Sequence, residues 1–325
     1  MSVVAVTGAG GFIGSHLVER LLSDGHEVRA LVRYVSTSSI GFLGPAREAW
    51  PDRLRIDAGT VEDPGCIRHL VDGVDVVFHL AALGGIPYSY VAPHHYVQTN
   101  VLGTLNVLDA TRALGIGRMV TVSTSETYGT AQFVPITEAH PVHAQSPYAA
   151  TKASADQLAL SYQRSFGTPV VVIRPFNTFG PRQSARAVIP TIVTQAMTGD
   201  VVRLGGTAPR RDLTYVSDTV NGIVLAGFAD GVDGEEINLG TGVSWAIGDV
   251  ARMIIERVNP GARVEVDTDR LRPDNSEVME LVACIEKARR LLGYEPAVAF
   301  EHGLDLVIEE IRGNLDRFRI GEYLV

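Results

Sequence analysis

The stretch that most restricts the fold is "SVVAVTGAGGFIGSH", residues 2–16, an apolar β-type run that passes directly into a glycine loop and then into residues of helical period. Gly8, Gly11 and Gly14 stand at a spacing that permits a tight turn, close approach of backbone to a pyrophosphate, and close packing of the following helix. The N–H groups of that helix's first turn would face the anion, which makes Gly8, Gly11, Phe12, Ile13 and Gly14 candidate dinucleotide contacts. Three ordinary turn glycines are the alternative, but their position in a strand-loop-helix unit argues for the phosphate loop. The run lacks a basic leading region and reads as a first strand, not as a secretion signal.

Val- and Ile-rich runs recur at 3–6, 27–32, 53–56, 74–79, 118–123 and 169–174, and segments of helical period lie between them at 15–23, 96–114 and 146–166. This alternation predicts an α/β fold, a Rossmann-like doubly wound parallel sheet with a smaller C-terminal substrate domain. The pattern loosens at "PFNTFGPRQSARAVIP", so the expected division is 1–174 plus about 212–238 for the dinucleotide, and about 175–211 plus 239–325 for the substrate. Ligands of open parallel sheets bind at the carboxyl ends of the strands.

Composition removes several classes of function. A net charge of -9, with no basic arm or stripe, excludes a nucleic-acid partner. No apolar stretch is long enough to span a bilayer. Cys66 and Cys284 are far apart and lack metal-type spacing, so no disulfide and no metal site are expected, and a cytoplasmic location follows.

At the end of the second strand a carboxylate would hold the adenosine ribose and repel a 2′-phosphate. Here Val32 stands in that place, followed by Arg33 and a hydroxyl-rich "STSS" that starts at Ser36. Missing repulsion plus a guanidinium favours NADP, with NAD the alternative if Arg33 only stacks on adenine or points to water.

The strand ending at 123 runs into "STSETYG", which puts Glu126 among hydroxyl groups at a strand end. It is either an exposed loop carboxylate or a group in a cleft with a task. Tyr148 and Lys152 lie four apart at the start of a helix, so both project from one face, and an ammonium beside a phenol lowers its pKa toward the working range of a base.

Together with "HLAA" at 79–82, "TNVLGTLNVL", "RPFNTFGPRQ" and "RRDLTYVSD", these segments resemble the extended short-chain dehydrogenase/reductase family, and within it the nucleotide-sugar dehydratases and epimerases. The resemblance runs nearly end to end. It implies that Tyr148 takes the proton of the sugar 4-hydroxyl, that Lys152 also binds the nicotinamide ribose, and that Thr124 bonds the sugar at the same position. It further implies that Leu80, Ala81 and Ala82 lie along the cofactor, and that Asn177, Arg182, Arg211 and Arg272 contact the substrate. Local cations have their own rationale, because a chain of charge -9 must attract a dianionic sugar nucleotide. Tyr88 lines the sugar pocket or simply packs, and His79 reads as structural. A homodimer through helices near 101–112 and 147–166 is also implied.

A 4-keto group acidifies the proton on carbon 5, and Glu126 supplies a base for it. In this reading Ser125 aids departure of the 6-hydroxyl, and the outcome is a 4,6-dehydratase that regenerates its cofactor. "TSE" is also similar to the segment of UDP-glucuronate decarboxylases, and C4 epimerases share the first step. "GIPYSYVAP", the segment from Arg174 and "RPDNSEVMELVA" are similar to 4,6-dehydratases of N-acetylglucosamine nucleotides from legionaminic-acid-type pathways. Thr60 and Cys284 depart from that pattern, each standing where an Asp is usual. A non-catalytic, dinucleotide-sensing regulator is the reading from another class, and the presence of both Tyr148 and Lys152 argues against it.

Overall fold

The computed structural model describes residues 1–268 and 278–318. Strands β1 (Val3–Thr7), β2 (Glu27–Arg33), β3 (Leu54–Gly59), β4 (Val76–His79), β5 (Arg118–Val122) and β6 (Val170–Pro175) fall where the Val/Ile runs predict them. Seven strands form one all-parallel sheet, whose order from one edge is β3, β2, β1, β4, β5, β6 and a strand at Glu236–Leu239. The sheet is apolar on both faces because helices cover both. Val4, Val6, Phe78, Val120 and Ile173 pack with Leu17, Leu21, Val220 and Ile223 on one side. Their neighbours in sequence, Ala5, Val77, Met119 and Val172, pack with Ile67, Leu70, Val107 and Leu160 on the other. This is the period-two alternation of a strand buried on both sides.

The chain runs outward from β1 to β2 and β3, then crosses back to β4, so strand order reverses between β1 and β4. A crevice opens at such a point outside the carboxyl ends of the strands. β7 (Asn177–Phe179), β8 (Val201–Leu204) and β9 (Arg210–Tyr215) come next in sequence, then β10 (Glu236–Leu239), β11 (Ser244–Ala246), β12 (Arg263–Val266) and β13 (Glu280–Leu281). β10 completes the large sheet, and the helix Val216–Phe228 packs against that sheet. β9 pairs with β7, β11 and β13 in a smaller sheet, and β8 pairs with β12. A separate core, built from Ile192, Val193, Val250, Ile254, Leu304 and Val307, holds this second region together.

The helical period expected over 96–114 is realised in two forms, a π-helical turn at Val97–Leu102 followed by an α-helix at Gly103–Ala113. The turn carries the buried Asn100, whose side chain accepts from Leu83 N (2.8 Å) and donates to Leu83 O (3.1 Å) and Thr151 Oγ1 (3.0 Å). Among the described residues no helix is long and apolar enough to cross a membrane, and no cluster of His, Cys, Asp and Glu could hold a metal ion. Cys66 and Cys284 are free thiols.

Candidate active site

A cleft of about 860 Å³ lies along the carboxyl ends of β2, β1, β4 and β5. Its floor is the glycine loop. Gly8 has φ +68°, and a Cβ there would stand 2.8 Å from Ala81 N. A Cβ on Gly14 would lie 2.2 Å from Gly8 O, so only glycine lets the helix Phe12–Ser23 start this close to the strand. That helix opens at Gly11 with no side-chain cap and no acid in its first turn. Its first N–H groups are therefore unclaimed by side chains, which fits the pyrophosphate of a dinucleotide. Gly10 and Gly41 belong to the same cradle, since a Cβ on Gly10 would meet Ile40 O at 2.8 Å and one on Gly41 would meet Gly10 O at 2.1 Å. Sequence reasoning passed over both.

Beside the loop, hydrogen bonds fix the tautomer of a buried histidine. Ala81 N–H donates to Thr7 Oγ1 (3.1 Å), Thr7 Oγ1 donates to His79 Nδ1 (2.8 Å), His79 Nε2–H donates to Thr104 Oγ1 (3.0 Å), and Thr104 Oγ1 donates to Asn100 O (2.7 Å). An amide at one end can only donate and a carbonyl at the other can only accept, so the direction of the chain is set. Burial, with the Lys152 charge nearby, lowers the His79 pKa to about 3. His79 is thus a neutral structural group, as the sequence suggests.

Beyond β5, Thr124 caps a 3₁₀ turn at Ser125–Tyr128, and its Oγ1 accepts from Glu126 N at 3.3 Å. The turn leaves Ser125 buried and Glu126 half-buried, both lining the cleft with Thr124. Ser146 caps the helix Pro147–Phe166, and one turn apart on it Tyr148 and Lys152 reach the same cleft. The Thr124 hydroxyl and the Tyr148 phenol are hydrogen-bond partners, and Lys152 Nζ donates to Val122 O at 2.7 Å. The phenol is not lowered by the ammonium beside it in the way that the four-residue spacing predicts, because burial outweighs that charge. In the ligand-free protein burial pushes the phenol up to about 12, with Glu126 adding to the rise, and the Thr124 hydrogen bond opposes it only in part. Lys152 is itself held down by burial, with its ammonium committed to a strand carbonyl.

Of the predicted site residues, the cleft lining brings together Gly8, Gly11, Phe12, Ile13, Gly14, Arg33, Leu80, Ala81, Ala82, Thr124, Ser125, Glu126, Tyr148, Lys152 and Asn177. Ser36 lies outside it, while Val35, Thr37 and Ser39 line it. Arg182 is turned to the first helix, donating to Glu19 Oε1 (2.8 Å) and Ser15 Oγ (3.1 Å). Arg211 is buried in the smaller sheet and Tyr88 packs at a tilt against Tyr96, both away from the lining. Arg272 falls outside the described residues. Thr60, directly after β3, lines the cleft, and so does Gln183, which was not foreseen from the sequence.

Residues 5–307 match the GDP-mannose 4,6 dehydratase family. The chain belongs to that family. As a GDP-mannose 4,6 dehydratase family member it has the extended short-chain dehydrogenase/reductase fold, and it is an enzyme. It is 35% identical to a dTDP-glucose 4,6-dehydratase of Actinoplanes sp. over 318 residues, covering 96% of this chain and 98% of the relative. It is 31% identical to UDP-glucuronic acid decarboxylase 1 of Xenopus tropicalis, over 99% of this chain and 75% of that protein. Among solved structures, DesIV, a dTDP-glucose 4,6-dehydratase of Streptomyces venezuelae crystallised with NAD bound, superposes with a TM-score of 0.89 at 31% identity, covering 98% of this chain and 99% of that one.

Proposed function

We propose that the protein is a nucleotide-sugar 4,6-dehydratase forming a 4-keto-6-deoxy sugar nucleotide. One observation carries the reading: Glu126 is the single carboxylate among the described lining residues, two positions past the Thr124 that bonds Tyr148. A C4 epimerase needs the Tyr and Lys but has no use for that carboxylate.

A nicotinamide dinucleotide held over the glycine loop by Gly8, Gly11 and Gly14 and along Leu80, Ala81 and Ala82 would supply the hydride acceptor for carbon 4 and the hydride donor for carbon 6. Tyr148 removes the 4-hydroxyl proton, with the Thr124 hydroxyl opposing the rise that burial imposes on the phenol, and Lys152, one turn along the helix in the same cleft, is the cation that works with it. Glu126 then takes the proton that the 4-ketone has acidified on carbon 5. The same carboxyl hands this proton to the departing 6-hydroxyl, which leaves as water, while Ser125 holds or relays at that oxygen; once hydride has reached carbon 6, carbon 5 takes up one proton from solvent through Glu126, and Tyr148 releases to solvent the proton it removed from the 4-hydroxyl. No second acid is needed if one carboxyl serves both events.

Electrostatics favours dehydration over decarboxylation. A uronate substrate would bring a second carboxylate toward Glu126, and the one guanidinium among the described lining residues, Arg33, lies three strands across the sheet, roughly 14 Å away. The same separation supports a preference for NADP, because Glu126 is too far from the adenosine end to repel a 2′-phosphate that Arg33 can meet. Asn177, whose buried Oδ1 has no hydrogen-bond partner among the described residues, suits a contact to the substrate diphosphate or sugar. A homodimer through Gly103–Ala113 and Pro147–Phe166 is supported by the exposed Leu102 and Phe166 at their ends, and sedimentation velocity giving a monomer would remove it.

The test is to incubate the purified protein with UDP-, GDP- and dTDP-sugars, N-acetylated and not, and to weigh the products. Loss of one water from any of them is the expected result. Loss of carbon dioxide, or a stereochemical change at constant mass, would replace this reading by one of its rivals.

A further inference from the structure

Behind the two catalytic side chains of the helix Pro147–Phe166 lies a buried layer of charge that the mechanism above leaves unused. Asp156 follows Lys152 by four residues, as Lys152 follows Tyr148, so the three lie along one helix face. The Asp156 side chain has no exposure to solvent. Its Oδ2 accepts from Ser123 Oγ at 2.8 Å and from Arg174 Nε at 3.1 Å, and its Oδ1 has no hydrogen-bond partner among the described residues. Ser123 directly follows Val122, whose carbonyl receives Lys152 Nζ at 2.7 Å. One strand end therefore holds the ammonium through its backbone and the carboxylate through its side chain.

A buried ammonium with a single carbonyl acceptor is unfavourable unless a negative charge lies near. Lys152 is 3% exposed, and burial works against its charge. Around the pair, β4 contributes His79, which is neutral; the same helix contributes Tyr148; the 3₁₀ turn contributes Glu126 and Tyr128; β6 contributes Arg174. Asp156 is the group that acts on Lys152 in favour of its charge, whereas Glu126 lines the cleft and bears on Tyr148. Arg174 does not consume the Asp156 charge alone, since it also pairs with Glu236 on β10 and donates to Tyr128 Oη at 3.1 Å.

We propose that Asp156 is a positioning residue for Lys152: clamped by Ser123 and Arg174, its carboxylate keeps the buried ammonium charged and in place beside Tyr148 without lining the cleft. The inference rests on the reading of Lys152 as the cation that works with Tyr148, yet it can be tested without turnover.

The chain contains two lysines, Lys152 and Lys287. Protein labelled with ¹³C at lysine Cε, in a Lys287→Arg background, therefore gives one side-chain resonance, whose titration reports Lys152 in the ligand-free protein. Asp156→Asn keeps an acceptor for Ser123 and removes the charge, and it is expected to lower the Lys152 midpoint by about one pH unit or more, a tenfold loss of proton affinity. Asp156→Glu should leave the midpoint near that of the parent. Ser123→Ala, which deletes one hydrogen bond to the carboxylate with little change in packing, should move it the same way by less. An unchanged midpoint in an Asp156→Asn protein with native circular dichroism would reduce Asp156 to a structural ion pair; if that variant does not fold, an unchanged midpoint in Ser123→Ala overturns the proposal instead. Failure to process any nucleotide sugar would count against the dehydratase reading and leave this titration unaffected.

Discussion

Arg33 lines the cleft and is exposed, next to a buried Val32, and the NADP preference proposed above rests on it. A charge-assisted hydrogen bond to a 2′-phosphate contributes about 1.5–3 kcal/mol, so Arg33→Ala is expected to weaken NADP binding by roughly ten- to a hundredfold and to leave NAD nearly unchanged. Calorimetric titration with both dinucleotides decides; equal losses would mean that the side chain only stacks on adenine. At this scale the sequence was informative wherever spacing along one element is enough. Tyr148 and Lys152 are four apart on a helix, and the structure brings both to the cleft. It was misleading where burial competes with charge, because a spacing of four does not reveal that Lys152 is spent on Val122 O or that Tyr148 is pushed up to about 12. Asp156 extends the same four-residue spacing and went unnoticed, since its partner Arg174 lies on another element.

At the scale of elements, the strand-loop-helix unit is held by contacts that leave no room for a methyl group. A Cβ on Gly14 would have to displace the Gly8 carbonyl, which is backbone and cannot swing aside. Gly14→Ala is therefore expected to cost about 1–3 kcal/mol of stability and to abolish dinucleotide binding, as thermal melts and cofactor fluorescence titration would reveal. Retained binding with a native melting point would mean that the loop relaxes more easily than its geometry implies. The glycine spacing was legible because each position answers to one steric demand. The helix Pro64–Val71 was not, although Asp63 caps it by accepting from Gly65 N and Cys66 N, because eight residues offer too short a window for helical period. The π-helical turn at Val97–Leu102 was equally hidden, since its buried Asn100 answers to Leu83 and Thr151 on other segments.

For the whole molecule, the buried His79 ties stability to pH. Its folded pKa of about 3 lies below the unfolded value of about 6.5, so the unfolded chain binds the proton first. The contribution is fully present above about pH 6.5 and is lost as pH falls toward 3, on the order of 4 kcal/mol across that window. Urea denaturation from pH 7 to pH 4.5 should show a steeper loss for the parent than for His79→Gln, and parallel curves would remove His79 as the cause. The large sheet was readable from its Val- and Ile-rich runs, whereas the smaller sheet was not, because its strands are two to six residues long and pair β9 with partners far away in sequence. Both regions meet at a cleft whose chemistry is assigned to one carboxylate. The most direct measurement of that assignment is a single-turnover experiment with Glu126→Gln and a nucleotide sugar that the parent dehydrates. Tyr148 and Lys152 are intact in this variant, so oxidation at carbon 4 should proceed, the near-ultraviolet absorbance of reduced nicotinamide should accumulate and persist, and no water should be lost. Full turnover to the dehydrated product, with no reduced nicotinamide left standing, would contradict the account.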